Sequence, residues 1–201
     1  MTREMLFALA LGYLLGSIPF GLLLTRLAGK GDIRNIGSGN IGATNVLRTG
    51  NKWLAALTLI LDCLKATAAI LLAQRLFGDE TAASAAAGAM IGHLYPVWLN
   101  FHGGKGVATL LGVLIGLQLW PAALVYAGVW IFLLATFRIS SLAGMTAAIT
   151  APITAAALHY SPYIPMLLGF ALLILWKHRE NILRLTKGTE PRLGSKTSPT
   201  A

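Results

Sequence analysis

Charged residues are scarce in this chain, and acidic residues are the scarcest. Only 11% of its 201 residues are charged, and seven of them are Asp or Glu, whereas a typical soluble domain has roughly 25% charged residues. A soluble domain of this size could not cover its surface with so little charge. Together with a hydrophobic content of 56%, this scarcity favours an integral membrane protein.

Cysteine and metal-binding patterns are also nearly missing. The single cysteine, Cys63, excludes an intramolecular disulfide, and its position in an apolar run favours a small packed side chain over a reactive thiol. His, Cys and acidic residues do not reach the spacing of a metal site, so the sequence predicts no catalytic metal.

Long apolar stretches are what the sequence has instead. A helix needs roughly 20 apolar residues to cross about 30 Å of hydrocarbon. Candidate stretches lie at about 4–25, 53–77, 82–100, 107–120, 121–138, 142–158 and 162–177. The first could pass for a signal peptide, but more apolar stretches follow, so we interpret it as a retained helix. The fold prediction is an all-α, polytopic integral membrane bundle of about seven transmembrane helices, with a single domain over 1–190 and a flexible cytoplasmic tail over 191–201.

Basic residues fall mainly on one set of the predicted connections. That set contains Arg26, Lys30, Arg34, Arg48, Lys52, Lys105, Arg138 and the basic C-terminal segment, whereas the other set contains Arg3, Glu4, Arg75, Asp79 and Glu80. The positive-inside rule then predicts an outside N-terminus and a cytoplasmic C-terminus. The basic segments lack the signatures of recognition modules, so we expect membrane lipids and no nucleic acid as partners.

The first polar segment, residues 37–48, reads GSGNIGATNVLR. Its glycines Gly37, Gly39 and Gly42 permit positive φ and let backbone N–H groups face a ligand. Hydrogen-bonding side chains and one cation accompany them: Ser38, Asn40, Thr44, Asn45 and Arg48. This mixture suits a phosphate, and the alternative is a flexible polar linker between two helices.

The second polar segment reads GHLYP over residues 92–96 and FHGGKGVAT over residues 101–109. Lys105 lies among glycines at the start of a predicted helix, where N–H groups and an ammonium favour an anion. It is not a nucleotide P-loop, because Leu99 and Gly106 occupy the positions of the first Gly and of the Ser or Thr. The alternative is a lysine that anchors the helix at the membrane interface.

The third polar segment, residues 178–190, reads HRENILRLTKGTE. His178, Asn181 and Arg184 recur at intervals of three and are predicted to share one helix face. That face offers an imidazole, an amide and a guanidinium to a ligand. A basic helix lying on acidic lipid headgroups explains the spacing equally well.

Two charged residues are predicted to lie within the membrane. Asp62 and Lys65 are three residues apart in the second apolar stretch, where a lone charge is costly. We interpret them as a structural ion pair near the site. His93, near the end of the third apolar stretch, could face the same polar region as this pair, or it could be a helix-packing histidine.

The three segments, in order, closely resemble the three cytoplasmic motifs of the bacterial acyl-phosphate:glycerol-3-phosphate acyltransferases, the PlsY-type enzymes. The likeness extends over essentially the whole chain, including its hydropathy profile, and Arg138 with Ser141 resembles a shorter family element. Two departures are small. Ala66 follows Lys65 where the family usually has Gly, and Gly144 replaces a common Ser.

The resemblance implies that acyl phosphate donates a fatty acyl group to the 1-hydroxyl of glycerol 3-phosphate, giving lysophosphatidic acid and phosphate. This would be the first acylation of phospholipid synthesis, at the cytoplasmic side of the bacterial inner membrane. Acyl phosphate is already activated, so no cofactor is expected. Catalytic roles are implied for Ser38, Arg48, Lys105, His178 and Asn181. Substrate-binding roles are expected for Gly37, Gly39, Asn40, Gly42, Thr44, Asn45, His93, Gly103, Gly104, Gly106, Thr109, Ser141, Arg184 and Glu190.

The proton acceptor of the reaction has two candidates. His178 is the natural general base, but no carboxylate is placed to hold it as in a triad, so a substrate phosphate oxygen is favoured.

The alternative function is a small organic-phosphate transporter. The polar segments fall on one predicted face and show no inverted repeat, which argues against alternating access. The enzyme hypothesis requires all three segments to converge in one electropositive site.

Overall fold

A computed structural model describes residues 1–194, and within that range the chain is built of α-helices and short 3₁₀ turns without a β-strand. The helices are α1 (Arg3–Gly16), α2 (Phe20–Leu27), α3 (Ala43–Leu47), α4 (Lys52–Phe77), α5 (Ala82–Leu94), α6 (Val107–Gly116), α7 (Trp120–Phe137), α8 (Ser140–Ala157), α9 (Ile164–Lys177) and α10 (Arg179–Thr186). The all-α prediction is confirmed for the described residues.

Helices of membrane-spanning length and composition occur in both halves of the chain. Four segments qualify: Arg3–Leu27, Lys52–Phe77, Trp120–Phe137 and Ser140–Ala157. Val107–Gly116 and Ser161–Lys177 are apolar but shorter. The protein is therefore a multi-pass membrane protein, while the number of seven crossings stays a prediction.

Two predicted helix boundaries were wrong. The third stretch was expected to reach residue 100, but α5 ends at Leu94, because the residue before a proline avoids the helical region and Tyr95 precedes Pro96. The break before α7 was expected at Trp120–Pro121. It falls earlier, at Gln118, which has a φ of 58°. Pro121 instead fits into the first turn of α7, where a missing N–H is harmless.

The described chain divides into two compact units, Met1–Trp120 and the part that begins at Pro121. In the first unit, α1 packs closely on α5 through two pairs of glycines spaced four residues apart. A Cβ atom added to any of them would overlap backbone atoms of the opposite helix: Gly12, Gly16, Gly88 and Gly92. Such small-residue pairs let helix backbones touch in lipid.

The long helix α4 runs alongside α1, α5 and α6 in the first unit. Gly112 of α6 lies directly on the backbone of Cys63, and the Thr67 hydroxyl donates to the Gly112 carbonyl at 2.8 Å. The Cys63 side chain is half-buried. This packing fixes the polar side chains of α4 relative to the neighbouring helices.

In the second unit, α8 packs on α9, and His178 separates α9 from α10. The backbone N–H of Leu193 donates to the Arg138 carbonyl at 2.7 Å, so the first residues after Glu190 return to the loop between α7 and α8. The predicted flexible tail begins at residue 191, and its residues 195–201 lie outside the described residues.

Candidate functional site

Asn45 organises the first polar segment. Its Nδ2 donates to the carbonyls of Ile33 at 2.7 Å and Asn40 at 2.8 Å, which uses both amide hydrogens. Its Oδ1 accepts from the Ser38 backbone N–H at 3.2 Å and from Nη1 of Arg48 at 3.4 Å. With the Asn45 side chain buried, the segment is held in one shape that brings Ser38 and Arg48 together.

The glycines of this segment play different parts. Gly37 and Gly39 have φ values of 56° and 66°, a region that residues other than glycine seldom adopt, so positive φ is confirmed at both. A Cβ on Gly37 would also lie 2.6 Å from Cδ of Arg48. Gly42 has a φ of −82° and caps α3, so it does not use this freedom. Thr44 lies in the first turn of α3.

The glycine loop of the second segment sits on the end of α5. The N–H of Gly103 donates to the Leu94 carbonyl at 3.2 Å, and that of Gly104 donates to the His93 carbonyl at 2.9 Å. Nδ2 of Asn40 approaches the Gly103 carbonyl at 3.5 Å. The first two polar segments therefore meet, as the sequence predicted.

Lys105 follows this loop and leads directly into α6. Gly106 precedes the helix with a φ of 87°, which favours glycine. Thr109, in the first turn of α6, is buried, and its hydroxyl has no hydrogen-bond partner within residues 1–194. A buried hydroxyl without a partner is uncommon, and the substrate-binding role of Thr109 stays a prediction.

A buried polar cluster lies next to the glycine loop. Nζ of Lys65 is 2.7 Å from Oδ1 of Asp62, 2.9 Å from Nδ1 of His93 and 2.9 Å from the Ile18 carbonyl. It also lies 5.8 Å from the centre of the Phe20 ring. The predicted ion pair is confirmed, and His93 is hydrogen-bonded to it.

In the second unit, the carboxylate of Glu190 gathers three candidate residues. Its Oε1 accepts from the Ser141 hydroxyl and from Nδ2 of Asn181, both at 2.6 Å, and its Oε2 accepts from Nε of Arg184 at 2.7 Å. Burial raises the pKa of Glu190, but these hydrogen bonds and the Arg184 charge outweigh it and hold the pKa below its ordinary value. The carboxylate is therefore ionised at neutral pH.

His178 occupies the boundary between α9 and α10 and is not part of the α10 helix. Asn181 and Arg184 share a face of α10, as predicted, but His178 lies before that helix begins. The His178 side chain is buried, and its Nδ1 is 2.8 Å from the Ile174 carbonyl. A carbonyl can only accept, so Nδ1 carries the proton in this contact.

A cluster of three charged residues precedes the first polar segment, and their pairing was not predicted from the sequence. Asp32 accepts from Nη2 of Arg26 at 2.8 Å and from Nη2 of Arg34 at 2.6 Å. The hydrogen bond from Arg34 holds the pKa of Asp32 far below its usual range, and Asp32 in turn raises the pKa of Arg34. Both arginines had been interpreted only as topology signals, although an acidic residue between two arginines suggests such a pairing.

Comparison with known proteins now identifies the class of protein that this fold and these sites define. The family model described as "Glycerol-3-phosphate acyltransferase" matches residues 6–188. A glycerol-3-phosphate acyltransferase of Mesorhizobium japonicum is 58% identical over 196 residues, covering 98% of this chain and 100% of the relative. One from Brucella anthropi is 57% identical over 196 residues, covering 98% and 96%.

Two crystal structures of PlsY, described as an integral membrane glycerol 3-phosphate acyltransferase, share the fold. Its glycerol 3-phosphate form is 40% identical with a TM-score of 0.88 and covers 94% of this chain and 96% of that one. Its lysophosphatidic acid form is 39% identical with a TM-score of 0.85 and covers 94% and 95%. The chain is thus an integral membrane acyltransferase. It belongs to the glycerol-3-phosphate acyltransferase family.

Proposed function

We propose that the protein transfers a fatty acyl group from acyl phosphate to the 1-hydroxyl of glycerol 3-phosphate, producing lysophosphatidic acid and inorganic phosphate. The observation that carries this proposal is the meeting of two glycine-rich segments. Asn45 holds Ser38 beside Arg48, and the Asn40–Gly103 contact joins them to the loop that carries Lys105. Backbone N–H groups, a guanidinium and an ammonium are the groups that bind phosphates.

The reaction requires the enzyme to position the two substrates more than to activate them. The glycerol 3-phosphate hydroxyl attacks the acyl carbonyl, the carbon–oxygen bond to phosphate breaks, and phosphate leaves with the bonding electrons. Acyl phosphate is a mixed anhydride, so no cofactor or covalent enzyme intermediate is needed. Ser38, Arg48 and Lys105 hold the phosphate groups and align the hydroxyl, and alignment with charge stabilisation supplies most of the rate.

His178 and Asn181 orient the acyl donor or stabilise the oxyanion that develops on its carbonyl. Glu190 supports this role, because its ionised carboxylate holds Asn181 and Arg184. The hydroxyl proton passes to a phosphate oxygen of the substrates. We favour this phosphate over His178 as the proton acceptor for the following reason. A histidine base is helped by a carboxylate that stabilises its imidazolium, whereas Nδ1 of His178 is hydrogen-bonded to the Ile174 carbonyl.

We further propose seven membrane crossings, with the N-terminus outside and the C-terminus in the cytoplasm. The membrane is the bacterial inner membrane, the active site faces the cytoplasm, and residues 1–190 form a single domain followed by a flexible tail over 191–201. The distribution of basic residues supports this orientation. Reporter fusions after Leu27 and after Lys187 test it, since both reporters should be cytoplasmic; a periplasmic reporter at either position would contradict the topology.

The decisive experiment is an assay of the purified protein in detergent with acyl phosphate and glycerol 3-phosphate. We expect equal molar release of phosphate and lysophosphatidic acid, without a second compartment, which a transporter could not produce. Acyl-coenzyme A as the donor and glycerol as the acceptor serve as substrate controls. Transfer from the thioester alone, or no transfer at all, would refute the proposal.

Matched lysine variants test the role of the glycine loop. Lys105→Met removes the charge next to the glycines, whereas Lys52→Met removes a charge at the start of α4. Loss of a charged hydrogen bond in the transition state costs about 1.5–3 kcal/mol, so kcat/KM should fall roughly tenfold to over a hundredfold for Lys105→Met. Lys52→Met should retain it within about twofold. Equal effects of the two substitutions would argue against a specific anion site.

A further inference from the structure

The cluster of Asp62, Lys65 and His93 lies beside the glycine loop, yet the reaction described above does not use it. We propose that Lys65 is a positioning residue for that loop: its ammonium holds His93 as the neutral tautomer whose Nε2–H faces Gly104. The inference rests on the proposed function, in which this loop binds a substrate phosphate.

The number of hydrogens on the Lys65 ammonium determines which group donates in its hydrogen bond with His93. An ammonium has three hydrogens and no acceptor, and three partners lie within 2.9 Å of Nζ: Oδ1 of Asp62, the Ile18 carbonyl and Nδ1 of His93. The first two can only accept. The remaining hydrogen points to Nδ1, which must therefore be the bare nitrogen of the imidazole.

Asp62 does not compete for this nitrogen. Its Oδ1 is 3.8 Å from Nδ1 of His93, which is too long for a hydrogen bond. A proton on Nδ1 would thus have no carboxylate to meet and would face the ammonium. Lys65, held by Asp62 and Ile18, keeps the imidazole proton on Nε2.

The opposite edge of the His93 ring faces the glycine loop. A Cβ added to Gly104 would collide with Nε2 of His93, and one added to Gly103 would collide with the His93 carbonyl. That carbonyl accepts from the Gly104 N–H at 2.9 Å. The His93 ring, in this tautomer, and the end of α5 together support the glycine loop.

A purely structural role for the ion pair makes a different prediction. If Asp62 and Lys65 only neutralise each other within the membrane, the double variant Asp62→Asn/Lys65→Met should behave like the wild type. If Lys65 positions His93, the double variant stays folded but loses the single tautomer and binds phosphate poorly. Thr67→Val is the matched control, because it removes a buried hydrogen bond from the same helix, away from His93.

Nitrogen-15 NMR of the full-length, histidine-labelled protein in detergent reports which ring nitrogen carries the proton. The His93 signals are assigned by difference against His93→Asn. We expect a proton on Nε2 in the wild type and in Thr67→Val, and a mixture of tautomers in the double variant. A proton on Nδ1 in the wild type, or an unchanged tautomer in the double variant, would overturn the proposal.

Steady-state kinetics supply the second readout. In the double variant, KM for one phosphorylated substrate should rise about tenfold to a hundredfold while kcat changes less than about threefold. A double variant with the same KM as the wild type would overturn the positioning role. Absence of acyl transfer in the wild type would refute the proposed function alone, because the NMR measurement does not require turnover.

Discussion

Nδ2 of Asn181 donates a 2.6 Å hydrogen bond to Oε1 of Glu190, the same oxygen that accepts from the Ser141 hydroxyl at 2.6 Å. One carboxylate thereby links α8, α10 and the segment that follows α10. The side chain of Glu190 is only 7% exposed. Its negative charge is stabilised by the three donors that it holds in place.

This arrangement predicts acid sensitivity. Because the folded-state pKa of Glu190 lies below its ordinary value, its contribution to stability is fully present above about pH 4.3 and is lost as the pH falls through the depressed pKa. Tryptophan fluorescence in detergent should show an unfolding temperature that decreases on acidification below about pH 4. Glu190→Gln should be less stable at neutral pH and less sensitive to acid. The same acid dependence in both proteins would contradict this role.

Asn45 is predicted to be a scaffold for the first polar segment. Asn45→Asp replaces the two N–H groups that reach the Ile33 and Asn40 carbonyls with an oxygen that repels both. We expect a loss of about 2–4 kcal/mol in stability and a clear fall in kcat/KM, measured by thermal unfolding and by phosphate release.

The same substitution at a helix cap provides the control. Asn51 caps α4 by accepting from the Leu54 N–H at 3.1 Å, which an aspartate does equally well. Asn51→Asp should leave stability and activity within experimental error. Similar behaviour of the Asn45 and Asn51 variants would show that the Asn45 donors are dispensable.

The packing of α1 on α5 depends on the absence of side chains at the contact. In Gly88→Ala the new Cβ would overlap the Leu9 carbonyl, and overpacking of this kind costs about 1–3 kcal/mol. For a chain of this size, the unfolding temperature should fall by about 2–12 °C. Gly128→Ala on α7 is the control, since nothing lies within 4 Å of the added atom and alanine favours a helix. An equal decrease in both variants would refute the packing argument.

His178→Ala distinguishes a positioning group from a general base. A general base supplies about 10²–10⁴-fold, whereas we expect only about a tenfold loss of kcat at saturating substrates if a substrate phosphate accepts the proton. The control is His159→Ala, at an exposed position between α8 and α9. A loss above about a thousandfold, confined to His178→Ala, would exceed what one oxyanion donor supplies and would reassign the proton to this imidazole.

Local signals in the sequence predicted well, and their failures have local causes. The apolar stretches predicted helices, and the glycine-rich pattern predicted positive φ at Gly37 and Gly39. The end of α5 was misplaced because an apolar run continues past Leu94, although Pro96 had already ended the helix. Hydropathy alone does not register such a backbone constraint.

Pairings between distant residues were beyond the sequence. Lys65 meets His93 across 28 residues, and Ser141 meets Glu190 across 49. The hydrogen bonds that the Asn45 amide makes within the loop itself were not predicted, and its substrate-binding role stays a prediction. Hydrogen-bond partners are chosen by which side chains packing brings within about 3 Å, and residue type does not reveal that choice.

By itself, the sequence determined that the chain is helical, embedded in a membrane and equipped with three polar segments. These properties follow from composition, periodicity and the conformational freedom of glycine, all of which act locally. Only the tertiary structure decided that Lys65 contacts His93 and that Glu190 organises α10. The Lys65–His93 contact depends on the packing of α4 against α5. The Glu190 contacts depend on the positions of α8, α10 and the segment that follows α10.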